Sequence, residues 1–82
     1  MVFVYILQSL VDNTWYVGMA IDPLHRLKEH NAGRNRFTKG HRPWKIIFTE
    51  PHQDWASARV REKYFKTAGG KRWLRARLSN NS

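Results

Sequence analysis

The chain has 82 residues, 41% of them apolar, and no cysteine. A single small domain burying roughly 60% of its unfolded surface is all that such a length supports. The missing cysteines exclude a disulfide framework, a thiolate nucleophile and any Cys-containing zinc site, and suit a reducing compartment. Fifteen Lys and Arg against six Asp and Glu give a net charge of +9. Residues 1–25 carry two acids (Asp12 and Asp22) and no Lys or Arg, whereas residues 26–82 carry all fifteen bases and four acids, a net of +11. A field of this sign attracts polyanions, and nucleic acid is the expected partner, with a merely solubilising basic face as the bland alternative.

Met1–Leu7 is the longest apolar run, far short of the ~20 residues of a membrane span, and no basic segment precedes it as in a signal peptide. A cytoplasmic protein with no membrane partner is expected. Met1–Gln8 is apolar on both faces, the pattern of a covered central strand. Asp12-Asn13 marks a turn, and Trp15–Met19 reads as a second strand closing a hairpin. Asp22 can cap a helix that has Pro23 in its first position, runs to about Ala32 and stops at Gly33. Leu24 and Leu27 supply its apolar grip. Gly33–Pro43 reads as a basic loop, and Trp44–Glu50 as a third strand. Asp54 can cap a second helix over Trp55–Thr67; Gly69-Gly70 is expected to break it before a short basic helix over Lys71–Leu78. The order β-β-α-β-α-α predicts an α+β domain over residues 1–78, with a small, mainly antiparallel three-stranded sheet flanked by helices and a loose tail at 79–82.

Three groups of residues can carry chemistry. With an even number of residues in the hairpin loop, Tyr5 falls on the same face as Tyr16 and Gly18, so that two phenols and a glycine notch converge. Taken alone they read as ordinary strand residues. Arg26 and His30 are four apart on one helical face: a permanent planar cation suited to phosphate oxygens, and a group that exchanges a proton near neutral pH. An arginine paired to Glu29 is the plain alternative. Glu62 is surrounded by Arg59, Arg61, Lys63 and Lys66. At 100° per residue it falls in the arc of Trp55, Ala58 and Phe65, while Ala56, Val60 and Tyr64 form a second apolar arc, and periodicity leaves open which one meets the sheet. Turned inward, Glu62 needs a cation or a metal; turned outward, it makes an i,i+4 pair with Lys66.

Phe3-Val4-Tyr5 and Tyr16-Val17-Gly18 resemble the two halves of the GIY-YIG nuclease signature, with Phe3 standing where glycine is usual. Arg26-Leu27-x-x-His30-Asn31, Phe37-Thr38-Lys39-Gly40 with Pro43-Trp44, and Ala58-x-x-Arg61-Glu62-x-x-Phe65-Lys66 extend the match in the right order over about residues 2–75. The resemblance is nearest to small stand-alone members similar to the N-terminal nuclease part of the excinuclease that acts in DNA repair. It implies a metal-dependent endonuclease that nicks DNA or cleaves it in a structure-specific way, or else a non-catalytic nucleic-acid-binding module of the same fold. It further implies Tyr5 or Tyr16 as proton acceptor from water, with His30 as relay, Arg26 on the phosphoryl charge, and Glu62 holding one Mg²⁺ or Mn²⁺. A phenol with pKa ~10 serves as a base at neutral pH only if cations lower that value or a neighbour takes the proton on. Gly18 is expected at the nucleic-acid surface. Arg34, Arg36, Lys39, Arg42, Lys66, Lys71, Arg72 and Arg75 are expected to track the backbone of DNA, whether duplex, branched, damaged or single-stranded, without a small-molecule cofactor. Trp15, Phe37, Trp44 and Trp73 are candidate stacking surfaces. The family's late asparagine is not assigned to Asn80 or Asn81.

Overall fold

Val2–Ser9 forms strand β1, and its both-face apolarity has a direct cause: in the computed structural model, which describes residues 1–79, β1 is the middle strand of a three-stranded antiparallel sheet of order β2-β1-β3. Strand β2 spans Trp15–Ala20 and strand β3 Trp44–His52. The last pair of β1 and β2 is Gln8 with Trp15, so six residues, 9–14, connect them, and Asn13 turns the connection with a left-handed φ of 63°. Pairing runs Phe3 to Ala20, Tyr5 to Gly18 and Leu7 to Tyr16, so the expected parity holds. A bulge between Ile6 and Leu7 in the pairing with β3 leaves Ile47 opposite neither; such an extra residue bends a strand locally.

Alternation splits the core into two. Val2, Val4 and Ile6 of β1 pack with Val17, Ala58, Phe65 and Leu74 on one face, while Tyr5 and Leu7 pack with Ala20, Trp44, Tyr16 and Leu27 on the other. Helix α1 (Pro23–Asn31) covers the second face. Its N-cap Asp22 accepts from the His25 amide, and Gly33 beyond its end has φ +83°. Leu27 alone supplies the apolar grip: Leu24, expected to share it, is 66% exposed. Helices α3 (Trp55–Phe65) and α4 (Ala68–Ser79) cover the first face. Ala58 and Phe65 are buried and Val60 is exposed, so the arc containing Glu62 is the one that meets the sheet. Among the described residues, no helix is long and apolar enough to cross a membrane.

Three further expectations are corrected. The basic segment between Gly33 and Pro43 is not all loop: Asn35 accepts from the amides of Phe37 and Thr38 and caps a four-residue helix, α2 (Arg36–Lys39). The break near residue 67 is made by Thr67 rather than by the glycines. Its hydroxyl accepts from the Gly70 amide, and Gly69 and Gly70 lie within the first turn of α4. Gly70 is required by packing, because a Cβ there would stand 2.0 Å from the Tyr64 carbonyl oxygen. Ser79, expected in the tail, ends α4; Asn80, Asn81 and Ser82 lie outside the described residues.

Candidate active site

Tyr5 leaves the central strand toward α1, and space for its ring exists because Gly18, its cross-strand partner, lacks a side chain. The residue is 1% exposed, and its hydroxyl lies 3.1 Å from Nε2 of His30, itself 1% exposed. The other ring nitrogen of His30, Nδ1, is 2.8 Å from Oγ1 of Thr38 on α2. One protonation pattern satisfies every link. Among the described residues Nε2 is the acceptor available to the buried Tyr5 hydroxyl, so the phenol gives its single proton to it. Nδ1–H then donates to Thr38, whose hydroxyl proton is directed to the Asn35 carbonyl at 3.5 Å. Tyr16 stacks on the same imidazole, with ring centroids 4.8 Å apart, and lies 6.4 Å from the Tyr5 ring.

The electrostatics follow from this burial. Desolvation lowers the pKa of His30, and the nearby Arg26 charge lowers it further, so the ring is held neutral. Desolvation raises the Tyr5 pKa, and Arg26 draws it back only in part. Burial thus favours the neutral phenol, whose hydroxyl is directed to His30. Arg26 itself is tied to Glu29, Nη1 to Oε1 at 3.0 Å, so the plain pairing foreseen for it is present beside the Tyr5 contact. Arg34 also faces Glu29, at 3.9 Å.

Glu62 belongs to α3, which covers the other face of the sheet. Trp55, at the start of α3, lines a cleft with Met19, Ala20, Ile21, His25 and Arg26. Phe65 and Lys66, at its end, line another with Trp15, Tyr16 and Val17. The two ends of α3 thus approach opposite ends of β2, and Glu62 lies one turn before Lys66. Its side chain is 15% exposed and paired with Lys66 at 3.3 Å, so both readings of this residue hold at once. No group of three or more His, Cys, Asp or Glu is placed to hold a metal among the described residues. A lone carboxylate with open coordination nevertheless suits a hard divalent ion that keeps waters and borrows substrate oxygens, as Mg²⁺ commonly does.

The basic residues form two exposed groups: Arg34, Arg36, Lys39 and Arg42 around α2, and Lys66, Lys71, Arg72 and Arg75 at the junction of α3 and α4. Arg42 is partly committed, its Nε donating to the Lys39 carbonyl at 2.9 Å. Of the four stacking candidates one is excluded: Trp44 is 2% exposed, its indole N–H donating to the Thr38 carbonyl. Trp73 packs against Phe48, Phe65 and the Arg61 guanidinium yet keeps 38% of its surface exposed. Trp15 and Phe37 are accessible as well. Residues that sequence reasoning passed over also matter here. Thr38 holds His30, and a threonine in a basic loop gives no warning of it; only Asn35 as a cap signal could have revealed α2. Asn31 clamps the start of β3, its side chain bonding the Trp44 backbone at both N and O, at 2.7 and 3.1 Å.

A small antiparallel sheet with tyrosines, an arginine and a histidine gathered on one face, and a glutamate-bearing helix on the other, defines a class of catalytic domain. The model of the GIY-YIG catalytic domain matches residues 1–75, and the chain belongs to that family. It is 41% identical over 56 residues to UPF0213 protein YazA of Bacillus subtilis, a match covering 67% of this chain and 57% of that protein. A UPF0213 protein of Listeria monocytogenes is 42% identical over 65 residues, covering 78% of this chain and 71% of the other. The solution NMR structure of a UPF0213 protein from Bacillus halodurans superposes with a TM-score of 0.56 at 29% identity, over 93% of this chain and 84% of that one.

Proposed function

We propose that this protein is a metal-dependent endonuclease that hydrolyses a DNA phosphodiester bond. The observation that carries this reading is the convergence of Arg26, Tyr16 and the Tyr5–His30–Thr38 chain from four separate elements onto one face of the sheet. Membership of a family of nuclease domains and the strongly basic surface both support it.

Hydrolysis requires a proton acceptor for the attacking water, cations for the charge that grows on the phosphoryl oxygens, and help for the leaving oxygen. Tyr16, half-buried with its ring tilted against His30, is the phenol that water reaches; as the phenolate, its own proton given up to solvent, it takes the proton of the attacking water. Tyr5 and Thr38 hold His30 in one tautomer beneath it. Arg26 neutralises phosphoryl charge, exchanging part of its contact with Glu29 for the substrate. Glu62 would hold one Mg²⁺ or Mn²⁺, with substrate oxygens and water completing the shell. Bound there, a divalent ion supplies Lewis acidity at the phosphate and positive charge for the leaving oxygen.

The test is nicking of supercoiled and branched DNA by purified protein. Cutting is expected with Mg²⁺ or Mn²⁺, absent with chelator, and reduced by about 10²- to 10³-fold in Arg26→Ala; Glu62→Ala should cut only at raised metal concentration. Variants that cut like the wild type would overturn the proposal. DNA bound in a salt-sensitive manner but never cut would assign the chain to the binding-module reading.

A further inference from the structure

Apart from Tyr16 itself, the residues of the apolar concavity beside that phenol have no part in the chemistry described above. It is a cleft of about 270 Å³ lined by Trp15, Tyr16, Val17, Phe37, Phe65, Lys66 and Lys71. Its walls come from different parts of the fold. Phe37 projects from α2 and is 57% exposed, an unusual position for a phenylalanine in so small a domain. Its ring lies 6.1 Å from that of Tyr16 and 5.5 Å from that of His41. Phe65 forms the floor from α3 and is itself fully buried. The opposite wall carries two lysines: Lys66, which leans on Glu62, and Lys71 on α4. Arg75 lies over the Trp15 ring, its guanidinium carbon 5.6 Å from the ring centre.

Flat apolar walls flanked by cations fit a flat apolar group flanked by anions. Such a group in a polyanion is a nucleobase between its own phosphates. A base paired and stacked within a duplex cannot enter, because both of its faces are already covered. We infer that the cleft between Phe37 and Lys71 receives an unstacked nucleobase next to the reacting phosphate, making single-stranded DNA, or a single-stranded junction, the preferred substrate. The inference rests on the nuclease reading for the phosphate's position beside Tyr16, and goes beyond it in choosing among DNA forms. Charge complementarity favours this occupant, since Lys66, Lys71 and Arg75 all carry the sign that attracts phosphate and repels another basic surface.

Binding measured by fluorescence anisotropy in chelator, where no cleavage occurs, separates this inference from the nuclease reading. Labelled oligodeoxynucleotides are compared as single strand and as blunt duplex at matched salt. The wild type should bind the single strand at least about tenfold more tightly than a duplex of equal length. Phe37→Ala and Phe37→Leu should lose about 10- to 100-fold on the single strand and little on the duplex, while Phe37→Trp retains the preference. Because stacking releases no counterions, Phe37→Ala should leave the slope of log affinity against log salt unchanged, whereas Lys71→Ala should reduce it by about 0.7. Equal affinity for the two forms, or single-strand binding indifferent to Phe37→Ala, would overturn the inference. So would a dimer in sedimentation that Phe37→Ala dissolves, since the cleft would then be filled by a second copy. Failure to cleave, with the single-strand preference intact, would remove the nuclease reading and leave the cleft assigned.

Discussion

Gly18 lies directly across the sheet from Tyr5, and a Cβ on Gly18 would stand 2.6 Å from both Cζ and the hydroxyl oxygen of that tyrosine. The glycine of the second signature triplet is therefore where the tyrosine of the first one rests. Gly18→Ala forces the phenol aside and disturbs its bond to His30. A destabilisation of about 1–3 kcal/mol is expected, as for other overpacked positions, with a larger proportional loss of nicking. Urea unfolding and a nicking assay check the two effects; a variant as stable and active as the wild type would show that the ring can yield.

His30 is neutral at pH 7 because burial and the Arg26 charge lower its pKa. In the unfolded chain a histidine titrates near ~6.5. As pH falls through that value the unfolded state gains a proton that the folded state refuses, so this residue's contribution to stability declines with acidification. The decline levels off once folded His30 protonates. Urea midpoints between about pH 5 and 7.5 should fall less steeply in His30→Gln than in the wild type, and the His30 ring signals in NMR should titrate below ~6.5. Ring titration at or above that value would contradict the buried neutral form.

Thr38→Val removes the acceptor for His30 Nδ1–H while filling the same volume. A buried donor left without a partner costs about 1–3 kcal/mol. Thr38→Ser keeps the hydroxyl and should keep both stability and the His30 titration. If valine and serine behave alike in denaturant and in the titration, Thr38 is a packing residue only.

Glu50 accepts from Arg61 at 2.9 and 3.2 Å, and the guanidinium lies 4.5 Å from the Phe65 ring centre and 4.6 Å from that of Trp73. Burial alone would raise the Glu50 pKa, yet Arg61 and His52 outweigh it and hold the carboxyl below its ordinary value. The stability gained is present above the unfolded carboxylate pKa and is lost as pH falls through the lower folded value. Both side chains are about a quarter exposed, which moderates the effect. Glu50→Gln should cost about 1–2 kcal/mol at pH 7, between the exposed and buried limits for ion pairs, and progressively less toward about pH 3. Lys66→Ala, which breaks the exposed pair with Glu62, should cost no more than about 0.5 kcal/mol. Chemical denaturation of the two variants across pH distinguishes them.

Local signals were read correctly where the physics is local. Asp22-Pro23 and Asp54 cap the helices they announced, and Gly33 takes the positive φ that ends α1. Reading failed where a neighbour distant in sequence decides. Gly69-Gly70 spells a break, but Gly70 is small because α4 crosses the backbone of Tyr64 and Phe65. Leu24 has the right spacing for the core yet sits past the edge of what α1 covers, and is exposed.

From the sequence alone, alternation along β2 put Tyr16 and Gly18 on one face and the two-sided apolarity of β1 marked it as central, because strand geometry assigns each side chain to one of two sides; that Tyr5 joins their face depended on the hairpin register, which the structure supplies. Helical period likewise placed Arg26 and His30 together. Only the tertiary structure decided that the Trp55 arc of α3 meets the sheet, that the helix carrying Glu62 covers the face opposite α1, and that Trp44 is covered while Phe37 and Trp73 stay exposed. Periodicity orients a residue about its own axis; which surface lies opposite is set by the packing of elements far apart in the chain.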